Sequence, residues 1–146
     1  MKDLLVMTKI AGRRCALHAH DVQSVIELGN VTPVPRTPPS IAGITALRSQ
    51  ALAVIDCRLA LGLDPAKWPV DHRAAVVSVQ GYAYALMVDC IEDITTAVAD
   101  PEQVSGGFGP EWSRVATGMI ETSLGPALLL DLEALIIGSE SLGAAA

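Results

Sequence analysis

The sequence predicts an all-β protein with a few short helices, organised as small barrel-like sheets. Three observations carry this expectation. Short β-branched and aliphatic runs recur at hairpin spacing, no stretch reads as a long helix, and the chain divides into two similar halves. In each half a strand pair ends in an aspartate, Asp56 or Asp131, and a short helix follows. A βαβ arrangement needs crossover helices of about ten residues or more, and the sequence has none to offer.

In chain order, Asp3 to Ile10 mixes Leu, Val, Met, Thr and Ile and is followed by Ala11-Gly12-Arg13 and by Cys15 to His18. Gly12 supplies the positive φ of a tight hairpin turn, so the segment reads as strand, turn, strand. A third strand is expected over Asp21 to Leu28, entered through a polar turn at His20-Asp21. The passage from Val31 to Ser40 carries Pro33, Pro35, Pro38 and Pro39, which forbid a regular helix and remove strand donors. It reads as an extended, docked surface crossing that ends in a helical turn at Pro39 to Ala42. Ile44 to Leu47 and Ala51 to Ile55 form a central hairpin joined at Ser49-Gln50, with Arg48 at the end of the first strand.

Asp56 to Gly62 reads as one or two helical turns, capped by Asp56 and stopped by Gly62. The linker Leu63 to Asp71 is the expected boundary between two subdomains, about 15–70 and 71–125, of a single domain spanning 1–146, and a crossing-over of the N-terminal strand and the C-terminal segment between them stays open. Beyond it, Arg73 to Val79, a Gln80-Gly81 turn and Tyr82 to Val88 make another hairpin, and Cys90 to Val98 continues as a bent strand. Asp100 to Ser113 is expected to be a loop. Val115 to Glu121 and Pro126 to Leu130 are strands around a turn at Thr122 to Gly125. Asp131 to Gly138 is a capped short helix, and Ser139 to Ala146 a frayed tail.

Composition excludes several functions. Hydrophobic residues make up 51% of the 146 residues and aromatics only 3%, so a base- or sugar-stacking platform lacks material. A net charge of −6 disfavours nucleic acid as partner. No apolar run reaches the roughly 20 residues of a bilayer span, and the N-terminus has no secretory pattern. Three cysteines, Cys15, Cys57 and Cys90, sit in or beside apolar runs and read as reduced thiols of a cytoplasmic protein.

The search for chemistry is negative. On a strand, His18 and His20 face one side and Cys15 the other, and no spacing supports a closed metal site. Gly106-Gly107-Phe108-Gly109 lacks the Lys-Ser/Thr of a phosphate loop and reads as a connector. No nucleophile elbow and no placed carboxylate pair is found, since Asp56, Asp89 and Asp131 stand where caps and turns belong. The expectation is a protein that is not an enzyme, with no cofactor and no metal. Arg48 remains with two readings: a strand-end arginine bonding loop carbonyls, or a planar five-donor head presented to a partner.

Several of these stretches together resemble the CheW-like domain family of bacterial chemotaxis. Gly43 to Ser49 is similar to the family's Gly-x-x-Asn-Leu-Arg-Gly, and Ala53 to Arg58 to its Pro-Val-Ile-Asp-Leu-Arg. Asp21 to Ile26 and Thr32 to Pro35 match its V-x-E-V-I and ITPVP region. Val88 to Ile94 is similar to VD-x-V-x-E-V, and Thr117-Gly118 with Leu128 to Asp131 to the closing strands. The likeness covers nearly the whole chain in order. It departs from the family at Ala46, Ser49 and Ala53, where the motifs have Asn, Gly and Pro.

The resemblance implies two five-stranded, SH3-like β-barrels around a shared hydrophobic core. It implies a non-catalytic coupling scaffold in the cytoplasm that binds the regulatory domain of the histidine kinase CheA and the cytoplasmic tips of methyl-accepting chemotaxis receptors. It places Val22, Gly43 and Arg48 in the receptor-contact region, with Ile44, Leu47 and Val88 shaping the groove. Two alternatives stay open beside it: a related adaptor for a partner outside chemotaxis, and a small-molecule-binding barrel.

Overall fold

The computed structural model describes residues 4–36, 40–63, 73–102 and 109–136. Ten strands form two five-stranded sheets. The first sheet has the order β8-β1-β2-β10-β9, from β1 (Leu4–Ile10), β2 (Arg13–His18), β8 (Cys90–Thr96), β9 (Ala116–Thr122) and β10 (Gly125–Leu130). The second has the order β3-β6-β7-β5-β4, from β3 (Val22–Glu27), β4 (Ile41–Leu47), β5 (Gln50–Asp56), β6 (Arg73–Val79) and β7 (Tyr82–Met87). Each strand of one sheet stands where its counterpart five strands further along the chain stands in the other. The all-β class and the repeat of the two halves are thus as expected, but sheet membership does not follow the halves. The β1–β2 hairpin pairs through β2 with β10, in parallel, and the β6–β7 hairpin pairs through β7 with β5 in the same way.

Neither sheet is closed into a barrel by a continuous ladder. The two end strands of each meet only through isolated bridges: Thr32 to Ile44 in the second sheet, and Ala97 to Thr122 with Glu102 to Met119 in the first.

Hairpin chemistry sets the registers. Ala11-Gly12 (φ 54° and 77°), Arg48-Ser49 (51° and 69°) and Gln80-Gly81 (52° and 83°) are two-residue loops with both residues left-handed, the conformation that matches strand twist. The central turn therefore lies one residue earlier than Ser49-Gln50, and Arg48 is in the turn rather than at the end of a strand. Neither residue is glycine, so this turn carries backbone strain that the other two relieve in part. Asp56 caps α1 (Cys57–Ala60) by accepting from the Arg58 and Leu59 amides at 3.0 and 3.3 Å. Gly62 (φ 80°) then ends it, with Leu63 N donating to Arg58 O and Gly62 N to Leu59 O in a Schellman closure. Asp131 caps the helical stretch 132–136 through the Ala134 amide at 3.1 Å.

Other boundaries differ from expectation. Ile41 and Ala42 belong to β4, not to a helical turn: Ile41 pairs with Ile55, Gly43 with Val54, and Ala42 is the bulge residue between them. The loop over 100–113 contains α2 (Pro110–Ser113), begun by a proline that needs no donor at that position. A 3₁₀ turn, Ala19–Asp21, leads into β3, and Thr122 and Gly125 lie within strands. Most of the 63–71 linker, Gly138 and the tail lie outside the described residues.

Three apolar clusters hold the sheets. The largest lies between them and joins Val6, Ile10 and Leu17 to Ile55, Val77, Leu86, Leu128 and Leu135. Smaller ones fill the opposite face of each sheet: Leu5, Met7, Ile120 and Leu129 in the first, and Leu52, Val54, Val76 and Ala85 in the second. Inner strands are therefore buried on both faces, which is why β1 and β6 read as apolar runs rather than alternations. Side-chain bonds to carbonyls and carboxylates reinforce the packing. Arg114 donates to Ala134 O and Ala60 O, both at 2.6 Å, and Gln80 donates to Glu133 at 3.0 Å.

Burial on both faces has a cost at Thr8. Its side chain is fully buried, and its Oγ1 has no hydrogen-bond partner among the described residues. Thr8→Val keeps the shape and removes the unsatisfied hydroxyl. It is expected to raise stability by about 1 kcal/mol, seen as a higher urea midpoint at unchanged slope.

Candidate partner-binding site

The end strands β3 and β8 face each other across a cleft of about 420 Å³. Its lining is Val6, Ala19, Val22 to Val25, Arg73 and Ile91 to Ile94. Both strands are bulged at equivalent places. In β3 the register shifts between Val22 and Ser24, leaving Gln23 unmatched, and in β8 it shifts so that Glu92 is unmatched. Residues three apart on an unbroken strand point to opposite faces. The extra residue turns Val22 and Val25, and likewise Ile91 and Ile94, toward one opening. Val6 and Ile91, both buried, and half-buried Ala19 and Val22 make the floor. Val25 and Ile94, 41% and 60% exposed, make the lips.

Polar groups frame this apolar slot. Arg73 reaches from β6 to the Ile91 carbonyl at 3.0 Å and ties one sheet to the other at the cleft. Glu92 is held by Arg14 at 3.1 and 3.3 Å, and the same guanidinium donates to Leu124 O at 2.6 Å. Asp89 accepts from the Gly12 amide at 2.7 Å and fixes the β1–β2 turn beside β8.

A second cleft, lined by His18, Asp21, Ser78, Gln80, Thr117, Asp131 and Glu133 together with Val79, Leu130 and Leu132, is the more polar of the two. The His18 and His20 rings stack 5.1 Å apart, and no group of three or more metal-ligating side chains forms among the described residues. Burial pushes the Cys15 thiol up to about 12 and raises Cys57 as well, so neither serves as a thiolate nucleophile near neutrality. What the β3/β8 cleft offers is apolar surface and hydrogen-bonding groups at its frame.

Of the six residues singled out by sequence, Val22 lines the cleft. Gly43, Ile44, Leu47 and Arg48 lie apart from its lining, on β4 and its turn. Ile44 is 39% exposed, Leu47 packs inward on the cluster of its own sheet, and Arg48 is exposed, with no ion pair to another described residue. Gly43 is buried (φ 154°), and a β-carbon there would lie 2.3 Å from Thr32 O. Its role is to let the proline-containing passage cross β4, where Thr32 and Ile44 exchange two hydrogen bonds of 2.9 Å. Val88, 4% exposed, belongs to the core between the sheets and cannot touch a partner directly. Sequence reasoning missed Val25, Ile91, Ile94 and Arg73. The available signal was the recurrence of Val-x-x-Val at Val22 to Val25 as Ile-x-x-Ile at Ile91 to Ile94.

Comparison with known proteins bears on the family and the fold. The model of the family described as "CheW-like domain" matches residues 4–140. The chain is 30% identical over 125 residues to the probable chemotaxis protein CheW of Rhizobium etli, covering 83% of this chain and 81% of that one. It is 23% identical over 137 residues to the chemotaxis protein CheW of Rhizobium meliloti, covering 93% and 88%. The crystal structure of the scaffolding protein TtCheW from Thermoanaerobacter tengcongensis matches with a TM-score of 0.78 over 92% of each chain. At 24% identity that match is a likeness of fold.

Proposed function

This chain belongs to the CheW-like domain family and is a chemotaxis coupling scaffold; we propose that it couples by holding a receptor's cytoplasmic tip in the β3/β8 cleft. The observation that carries this reading is the cleft itself, an apolar slot between two bulged end strands whose lips are exposed. An amphipathic helix enters such a slot with its apolar stripe, and a few anchors supply most of the energy. A separate surface docks the regulatory domain of the histidine kinase CheA. The protein acts by binding alone and works in the cytoplasm, at the receptor array. No helix among the described residues is long and apolar enough to cross a membrane.

Ile44 and Arg48 extend the receptor contact along β4, and Gly43 keeps that strand in place. Titration of a labelled receptor tip fragment tests this. Arg48→Glu is expected to weaken binding roughly tenfold, the range for a rim charge reversal, with the melting temperature within about 2 °C. Unchanged affinity removes Arg48 from the interface. A pull-down that recovers neither the CheA regulatory domain nor receptor tips favours an adaptor for another signalling system.

A further inference from the structure

The two lips of the cleft occupy equivalent places in the repeat, yet they differ in charge. Where β3 has Gln23 and Ser24, β8 has Glu92 and Asp93. Arg14 neutralises Glu92 through two hydrogen bonds. Asp93 has no such partner: its only described hydrogen bond is from the adjacent Ile94 amide at 2.8 Å, and it pairs with no cation among the described residues. Arg73, the cation lining the cleft, is turned to the Ile91 carbonyl. The slot is thus symmetric in its apolar groups, Val22 and Val25 against Ile91 and Ile94, and asymmetric in its carboxylate.

We propose that Asp93 gives the cleft a direction. The partner is an apolar receptor segment with a Lys or Arg on one flank, and the flank that bears the cation lies against β8. An apolar slot with two matching lips accepts a segment in either orientation with similar burial. One uncompensated carboxylate on one lip breaks that degeneracy, because the reversed orientation leaves Asp93 covered and unpaired. The inference rests on the cleft being the receptor site, and the experiment separates the two.

Binding of a purified receptor tip fragment is measured at low and high salt for Asp93→Asn, Asp93→Lys, the exchange Asp93→Ser with Ser24→Asp, and Ile94→Glu. Asp93→Asn is expected to weaken binding roughly threefold and Asp93→Lys roughly tenfold at low salt, with both effects shrinking at high salt. The exchange variant keeps the net charge but moves it to the other lip, so it is expected to bind within about twofold of the parent with the segment reversed, read by a spin label at one end of the fragment. Asp93→Lys binding like the unaltered chain, or an exchange variant that holds the segment in the parent's orientation, while Ile94→Glu fails to bind, overturns the directional role and leaves the cleft as the site. Normal binding by Ile94→Glu overturns the cleft reading itself. Asp93 is exposed, so melting curves of its variants are expected to coincide with the parent's.

Discussion

Gly43→Ala is expected to destabilise the protein by about 2–4 kcal/mol, more than any surface change proposed above. The added β-carbon has no room: Thr32 O lies at 2.3 Å, Thr32 C at 2.7 Å and Val31 Cγ1 at 2.8 Å. Two of these are backbone atoms, so no rotamer change relieves the clash. The crossing passage must lift away, and the paired bonds between Thr32 and Ile44 break with it. Each is worth about 1 kcal/mol, and the buried groups left unpaired add to the loss. Urea unfolding checks the magnitude, and amide exchange at Thr32 and Ile44 checks the mechanism. Gly12→Ala is the control, since space is open there and only its φ of 77° is at issue, a cost of about 1 kcal/mol. Retention of stability within about 0.5 kcal/mol by Gly43→Ala, with both amides still protected, refutes the close-crossing account.

Ile94→Glu is expected to reduce receptor-tip binding by about 100-fold while changing folding stability by less than about 1 kcal/mol. The asymmetry follows from where the side chain spends its surface. It is 60% exposed in the free protein, so little is lost on replacement before a partner arrives. In the complex it covers apolar surface worth about 2 kcal/mol, and a carboxylate there must also be stripped of water beside Asp93. Val25→Glu on the opposite lip is expected to behave the same way. A calorimetric titration together with a melting curve decides the matter. If binding survives with full affinity in Ile94→Glu, the cleft is not the docking surface.

What could be read from sequence was local. Gly12 and Gly81 announced their turns, Asp56 and Asp131 their caps, and Gly62 its helix stop, because each is dictated by the φ or hydrogen bond of one residue. The Arg48-Ser49 turn was displaced by one position because it places two non-glycines in the left-handed region. The parallel pairs β2–β10 and β5–β7 were not legible, since they join segments far apart in the chain. Strand faces were blurred for a different reason. Leu128, Leu129 and Leu130 are all buried, alternating between the central cluster and that of their own sheet, so no period of two survives. At the site, the family resemblance pointed to the β4 hairpin and to Val22. It passed over Val25 and Ile94, because the bulges at Gln23 and Glu92 put both lips out of step with strand alternation.

The interleaving of the two sheets also fixes an order of assembly during synthesis. The second sheet is complete in sequence once β7 has left the ribosome, for it needs only β3 to β7. The β1–β2 hairpin emerges first, yet β8 and β10, its neighbours on either side, come last. The earliest of these ten strands therefore wait longest for their partners, with the apolar side chains of Leu5 and Met7 uncovered until the β9–β10 hairpin arrives. Refolding is expected to be limited by that late, long-range closure.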